Sequence, residues 1–128
     1  MFVVGIGIDI VDLSRFQRLL DRHGQRFLSK TFTDEEIAYC QSRKNPVQHF
    51  AARFAAKEAM FKAMGTGWRE GMGWKEIEVQ VDSRGRPRLR LAGKAASKAR
   101  SLGITDTILS LSHCDCHAIA EVLAQGED

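Results

Sequence analysis

Of 128 residues, 44% are hydrophobic and 27% charged, which excludes collagen-like and wholly disordered chains and supplies enough apolar side chain for one core rather than several. The 19 lysines and arginines outnumber the 16 aspartates and glutamates by a formal net charge of +3, too mild an excess to imply nucleic acid by itself. Cys40, Cys114 and Cys116 are an odd set in a chain long enough to bury a core, so a reducing compartment is expected and a disulfide framework is not.

The opening apolar run, Phe2 to Val11, is interrupted by Asp9, has no basic leader and is far shorter than the ~20 residues that span a bilayer, so neither a membrane nor a signal segment is expected and the chain reads as cytoplasmic. Alternation puts Val4, Ile6, Ile8 and Ile10 on one face and Gly5, Gly7 and Asp9 on the other, the pattern of a buried first strand. Ser14 can cap a helix from Arg15 to about His23 that Gly24 stops. Phe16, Leu19, Leu20 and His23 share its apolar side, and Arg15, Arg18 and Arg22 form a basic stripe on the other.

Thr33 and Glu36 have the spacing of a capping box and open a short helix to about Ser42. Asn45 and Pro46 then begin the longest helix, rich in alanine and phenylalanine, which runs to Met64 before Gly65. Ile77, Val79 and Val81 alternate, Asp82-Ser83-Arg84-Gly85 is a turn signal, and Leu89 and Leu91 alternate again, which predicts a β-hairpin with Pro87 at an edge. A helix from Gly93 to Leu102, ended by Gly103, precedes two strands, Thr107 to Ser112 and His117 to Leu123. This order predicts one α+β domain over residues 1–128, with a mainly antiparallel sheet against the long helix.

Two carboxylates stand in apolar settings. At about 100° per residue, Glu58 falls on the same helix face as Val47, Ala51, Phe54 and Phe61, where it must be protonated, paired with a cation or bound to a metal. The simplest partner is Lys62, one turn on. Asp9 ends its strand on the side where Gly5 and Gly7 leave room for another backbone or a ligand; bonding to local backbone N–H groups is its simplest role. Together the two acids suit Mg²⁺, which takes few carboxylates and completes its shell with water and phosphate.

The blocks Gly5-Ile6-Gly7-Ile8-Asp9-Ile10-Val11 and Arg53-Phe54-Ala55-Ala56-Lys57-Glu58-Ala59, followed by Lys62-Ala63-Met64-Gly65-Thr66-Gly67, resemble the two signature blocks of holo-acyl-carrier-protein synthases, the small bacterial class of 4′-phosphopantetheinyl transferases. The likeness extends through Gly85-Arg86-Pro87 to the closing strands. It implies the 4′-phosphopantetheinyl transferase fold and a reaction that moves the phosphopantetheine arm of coenzyme A onto a serine of apo acyl carrier protein, releases adenosine 3′,5′-bisphosphate and supports fatty acid biosynthesis. On the resemblance, Asp9 and Glu58 hold Mg²⁺, or Mn²⁺ in its place, and Lys62 lies by the coenzyme A phosphates. Arg53, Gly65, Arg86 and His113 become further coenzyme A contacts. The serine proton passes to Glu58, to Asp9 or to a water on the metal.

The remaining expectations concern charge. The stripe Arg15, Arg18 and Arg22, with Arg26 extending it, suits the family's acidic carrier protein. The family also implies a homotrimer with sites between neighbours, where the basic run Arg84, Arg86, Arg88, Arg90, Lys94, Lys98 and Arg100 meets coenzyme A phosphates across a boundary. Lys57 reads as surface, and Arg53 by itself as solvated. The competing function, a basic module for RNA or another polyanion, needs aromatic residues interleaved with that run, and none occurs between Arg84 and Arg100. His113-Cys114-Asp115-Cys116-His117 lacks the Cys-x-x-Cys pairs usual for zinc.

Overall fold

The computed structural model describes residues 1–66 and 71–128. Its core is organised by small side chains. β1 (Phe2–Asp12) carries glycines at alternate positions, and β5 (His117–Gly126) buries Ala118, Ala120, Val122 and Ala124 on one face. Both lie against α3 (Pro46–Ala63), whose Ala51, Ala55, Ala56 and Ala59 are fully buried. With so little side chain between them, backbone approaches backbone. A Cβ at Gly7 would collide with the Ala59 carbonyl, and one at Gly5 with that of Ala63.

β1, β5 and β4 (Asp106–His113) form an antiparallel sheet in the order β1-β5-β4, and β2 (Ile77–Val81) pairs with β3 (Pro87–Leu91) as a separate hairpin. The architecture is α+β, as the element order predicts. Asp82 fixes the hairpin turn by accepting from the N–H groups of Arg84 and Arg86, both at 2.9 Å. α4 (Gly93–Ser101) ends before Gly103, whose φ of 80° is what a glycine terminator supplies. All three cysteines are free thiols. Among the described residues no helix is long and apolar enough to cross a membrane.

The first strand departs from its predicted burial. Ile6, Ile8 and Ile10 are 59%, 57% and 59% exposed, and it is the glycine face that is covered, because only glycine lets the strand sit on α3. An irregularity between Val3 and Gly5 takes Val4 out of step with the isoleucines, and Val4 packs on the core. Partners in register extend the outward face: Ile6 opposes Leu123, Ile8 opposes Glu121 and Ile10 opposes Ile119.

α1 (Leu13–Thr31) is longer than its sequence suggests and is capped differently. Gly24, at φ 50° and ψ −131°, breaks the helix but does not end it, since Phe27 and Leu28 beyond the break join Phe16, Phe32 and Phe50 in a second apolar cluster. The cap is Asp12 rather than Ser14: its carboxylate accepts from the Arg15 N–H at 3.0 Å and from the Ser14 hydroxyl at 2.7 Å. In α2 (Asp34–Gln41) the capping box forms, with Glu36 accepting from the Thr33 N–H at 2.9 Å and Thr33 from the Glu36 N–H at 3.2 Å. Asn45 precedes α3 without a side-chain cap bond, leaving Pro46 to start that helix.

Candidate active site

The crossing of β1 over α3 builds the first half of the site. Gly5 lies at Ala63 and Gly7 at Ala59, so two strand residues, about 6.6 Å, match one helical turn of about 5.4 Å. One further step along the same line brings Asp9 beside the turn that carries Ala55 and Glu58. Asp9, Glu58 and Lys62 accordingly line one cleft of about 600 Å³.

Lys62 reaches across to the strand. Its Nζ donates to Asp9 Oδ1 and to the Ile8 carbonyl, each at 3.0 Å, so the helical pair expected between Lys62 and Glu58 gives way to a bridge between elements. Glu58 is half-buried and has no hydrogen bond or ion pair among the described residues. Burial pushes its pKa up; the nearby Asp9 carboxylate adds to the rise and Lys62 opposes it. A carboxylate in that setting is relieved by a hard cation. Asp9 and Glu58 offer two hard oxygen donors to one cleft, and a cation held there would draw its other oxygens from water or phosphate, the shell Mg²⁺ prefers. The residues present therefore fit that ion, while among the described residues the His113–His117 segment does not gather into a zinc site.

The opposite wall comes from α1. Arg15, Arg18 and Arg22, all exposed, line this cleft with Leu19, His23 and the inward-facing Phe16, together with Phe54 of α3. The predicted basic stripe and the predicted acid pair therefore share one hollow. Asp12 stands at its edge, its carboxyl held below the usual range first by the Arg15 N–H and then by the Ser14 hydroxyl.

Arg53 and His113 lie elsewhere. They line a second cleft of about 340 Å³ together with Tyr39, Gln48, His49 and Pro87. Five residues separate Arg53 from Glu58, so at 100° per residue the two point to different sides of α3. Arg53 is 3% exposed, which corrects its reading as solvated. Its guanidinium lies 4.3 Å from the centre of the Tyr39 ring and donates to the His49 carbonyl at 3.4 Å, while its Nε finds no partner among the described residues. His113 Nε2 lies 2.8 Å from Gln48 Nε2. Burial, then Arg53 and Arg43, lower the pKa of His49 and favour its neutral form.

Arg86 is exposed in the hairpin turn between Gly85 and Pro87, both of which line this second cleft. Gly65 lines neither cleft; its φ of 70° ends α3, and its N–H donates to the Lys62 carbonyl at 3.0 Å. Thr66 Oγ1 is buried and unpartnered among the described residues, and Gly67 lies outside them. The basic run spreads over the hairpin turn, β3 and α4, with Arg88 lying 3.6 Å from Asp82.

Lys57 is the largest departure from expectation. It is fully buried, not surface, and is paired with buried Glu36. The signal was present in the helix: Phe50, Arg53, Lys57 and Phe61 recur at i, i+3, i+7 and i+11, a stripe whose apolar ends imply that its charged middle is covered too. Nothing comparable marks Gln48 or Tyr39, which join the second cleft only through tertiary packing.

Residues 5–119 match the family described as the 4′-phosphopantetheinyl transferase superfamily. A holo-[acyl-carrier-protein] synthase from Koribacter versatilis is 47% identical over 123 residues, covering 96% of this chain and 98% of its own. Among solved structures, a holo-[acyl-carrier-protein] synthase from Neisseria meningitidis superposes with a TM-score of 0.87 at 38% identity, covering 97% of this chain and 99% of that one. One from Bacillus anthracis, in complex with CoA (3′,5′-ADP), superposes with a TM-score of 0.81 at 33% identity, covering 99% and 100%.

Proposed function

This chain belongs to the holo-acyl-carrier-protein synthase family of 4′-phosphopantetheinyl transferases, and from that premise we propose that it moves the phosphopantetheine arm of coenzyme A onto a serine of an acidic apo carrier protein, using Mg²⁺ at Asp9 and Glu58. The observation that carries this reading is the single hollow in which Asp9, Glu58 and Lys62 face Arg15, Arg18 and Arg22. The arginine wall attracts an acidic protein and brings its serine to the acid wall. Transfer at a pyrophosphate depends mainly on aligning the groups and on neutralising charge at the transferring and leaving oxygens. A divalent cation supplies Lewis acidity and orientation when bound. Asp9 and Glu58 would hold it, Lys62 adds positive charge beside them, and a carboxylate oxygen of either acid can take the serine proton.

Coenzyme A is the substrate, in line with the ligand of the Bacillus anthracis relative. Its far end would meet Arg53, Arg86 and His113 of a neighbouring copy, with Gly65 at the end of α3 close to the phosphates. Two observations support a shared site in a homotrimer: the two clefts lie on different sides of α3, and an isoleucine stripe is exposed on β1. Service to fatty acid biosynthesis follows if the carrier is that of the fatty acid pathway.

The test combines purified protein, Mg²⁺, coenzyme A and an apo carrier protein under mass spectrometry. The carrier should gain one phosphopantetheine, and chelation should stop the gain. Asp9→Ala and Glu58→Ala should each abolish turnover while leaving the chain folded; near-normal turnover in either would remove the metal pair from the reading.

A further inference from the structure

Lys57 and Glu36 form an ion pair at 2.8 Å with both side chains entirely shielded from solvent. All three ammonium protons are committed. Lys57 Nζ donates to Glu36 Oε1, to the Trp74 carbonyl at 3.1 Å and to the Ile77 carbonyl. Glu36 is equally engaged: Oε1 also accepts from the Thr33 N–H at 2.9 Å, and Oε2 accepts from the Val79 N–H at 2.9 Å. One ammonium thus joins α3 to the start of α2 and to the segment from Trp74 into β2.

Stability is a poor reason for this arrangement. Desolvating two charges costs about what their attraction returns, and apolar pairs of similar shape commonly serve as well. Geometry gives a better one. Lys57 and Glu58 are consecutive, about 100° apart around the helix, so fixing the direction of one fixes the direction of the other. The same ammonium also holds the backbone of Trp74. The indole lies 5.1 Å from the ring of Phe54 and 5.4 Å from that of Phe61, and Phe54 lines the cleft that contains Glu58.

We propose that Lys57 is a positioning residue: its buried bonds to Glu36, Trp74 and Ile77 set the rotation of α3 that aims Glu58 at Asp9, and seat the Trp74–Phe54 wall beside them. The proposal rests on the reading of Glu58 as a functional carboxylate. Lys57 itself touches neither cleft.

Lys57→Met alone leaves the Glu36 carboxylate buried without a cation, so the informative variant is Glu36→Gln with Lys57→Met, neutral at both positions and close in shape. In a Trp68→Phe background Trp74 is the sole tryptophan, and its emission reports the wall directly. The double variant should keep its far-UV spectrum and a cooperative thermal transition. Its kcat should fall on the order of 10- to 100-fold, as misalignment of a reacting group does, with the KM for coenzyme A changed less than about threefold. The rise in thermal midpoint on adding Mg²⁺ should shrink, and Trp74 emission should move to longer wavelength. Wild-type kcat with an undiminished Mg²⁺ effect would overturn the proposal and leave the pair a matter of packing. Glu36→Gln alone is the gentler second variant for the case where the double one does not fold: a severalfold fall in kcat supports the proposal and an unchanged kcat overturns it. Glu58→Ala measured alongside separates the two ideas. Turnover by Glu58→Ala removes the underlying reading, whereas an inactive Glu58→Ala beside fully active Glu36 and Lys57 variants removes only the positioning role.

Discussion

Glu58 sits half-buried with its pKa raised, chiefly by burial and then by Asp9. A carboxyl with a higher pKa folded than unfolded stabilises the fold while protonated; that contribution is complete below the ordinary carboxylate range and is lost as pH rises through the folded value. At neutral pH the ionised group therefore costs stability. Glu58→Gln should melt at or above the wild-type temperature near pH 7, with the gap closing as the pH falls into the acid range, while turnover drops by at least about 100-fold. Mg²⁺ should raise the wild-type midpoint and not that of the variant. Both acids were legible in the sequence because a charge amid apolar neighbours demands a partner. Which partner each takes was not: Lys62 bonds Asp9 across 53 positions of chain, a choice no helical spacing encodes.

At the level of elements, the glycine face of β1 governs how the two carboxylates meet. Gly7→Ala would drive a methyl into the Ala59 carbonyl, which is rigid backbone and cannot turn aside. The strand would have to lift from α3, at a cost of about 1–3 kcal/mol or more. A lowered melting temperature should accompany a kcat loss larger than that of Ile8→Ala on the outward face. Local signals read these elements well where the chemistry is local, as in the Thr33–Glu36 box and the Asp82 turn. They failed at α1 because the tertiary contacts of Phe27 and Leu28 outweigh the break at Gly24, and because the Asp12 carboxylate, two residues before Ser14, reaches the Arg15 N–H. They also read β1 as buried throughout, since alternation names two faces without saying that one of them, the isoleucine face, stays uncovered.

For the whole molecule, that uncovered face is where copies would join. Ile6, Ile8 and Ile10 continue in register to Leu123 and Ile119, an apolar strip broken by Glu121. Ile8→Lys should shift the protein to monomer size in light scattering and cut turnover, with the circular dichroism of the fold retained. A mass unchanged from wild type would place the junction elsewhere. The opposed directions of Glu58 and Arg53 on α3 carry a genetic consequence. An Asp9→Ala chain and an Arg53→Ala chain, each deficient when alone, hold intact opposite halves of the proposed shared site. Co-expressed in equal amounts and assorting at random, they should rescue each other at roughly a quarter of the junctions. No rescue would mean that every copy serves its own substrate unaided.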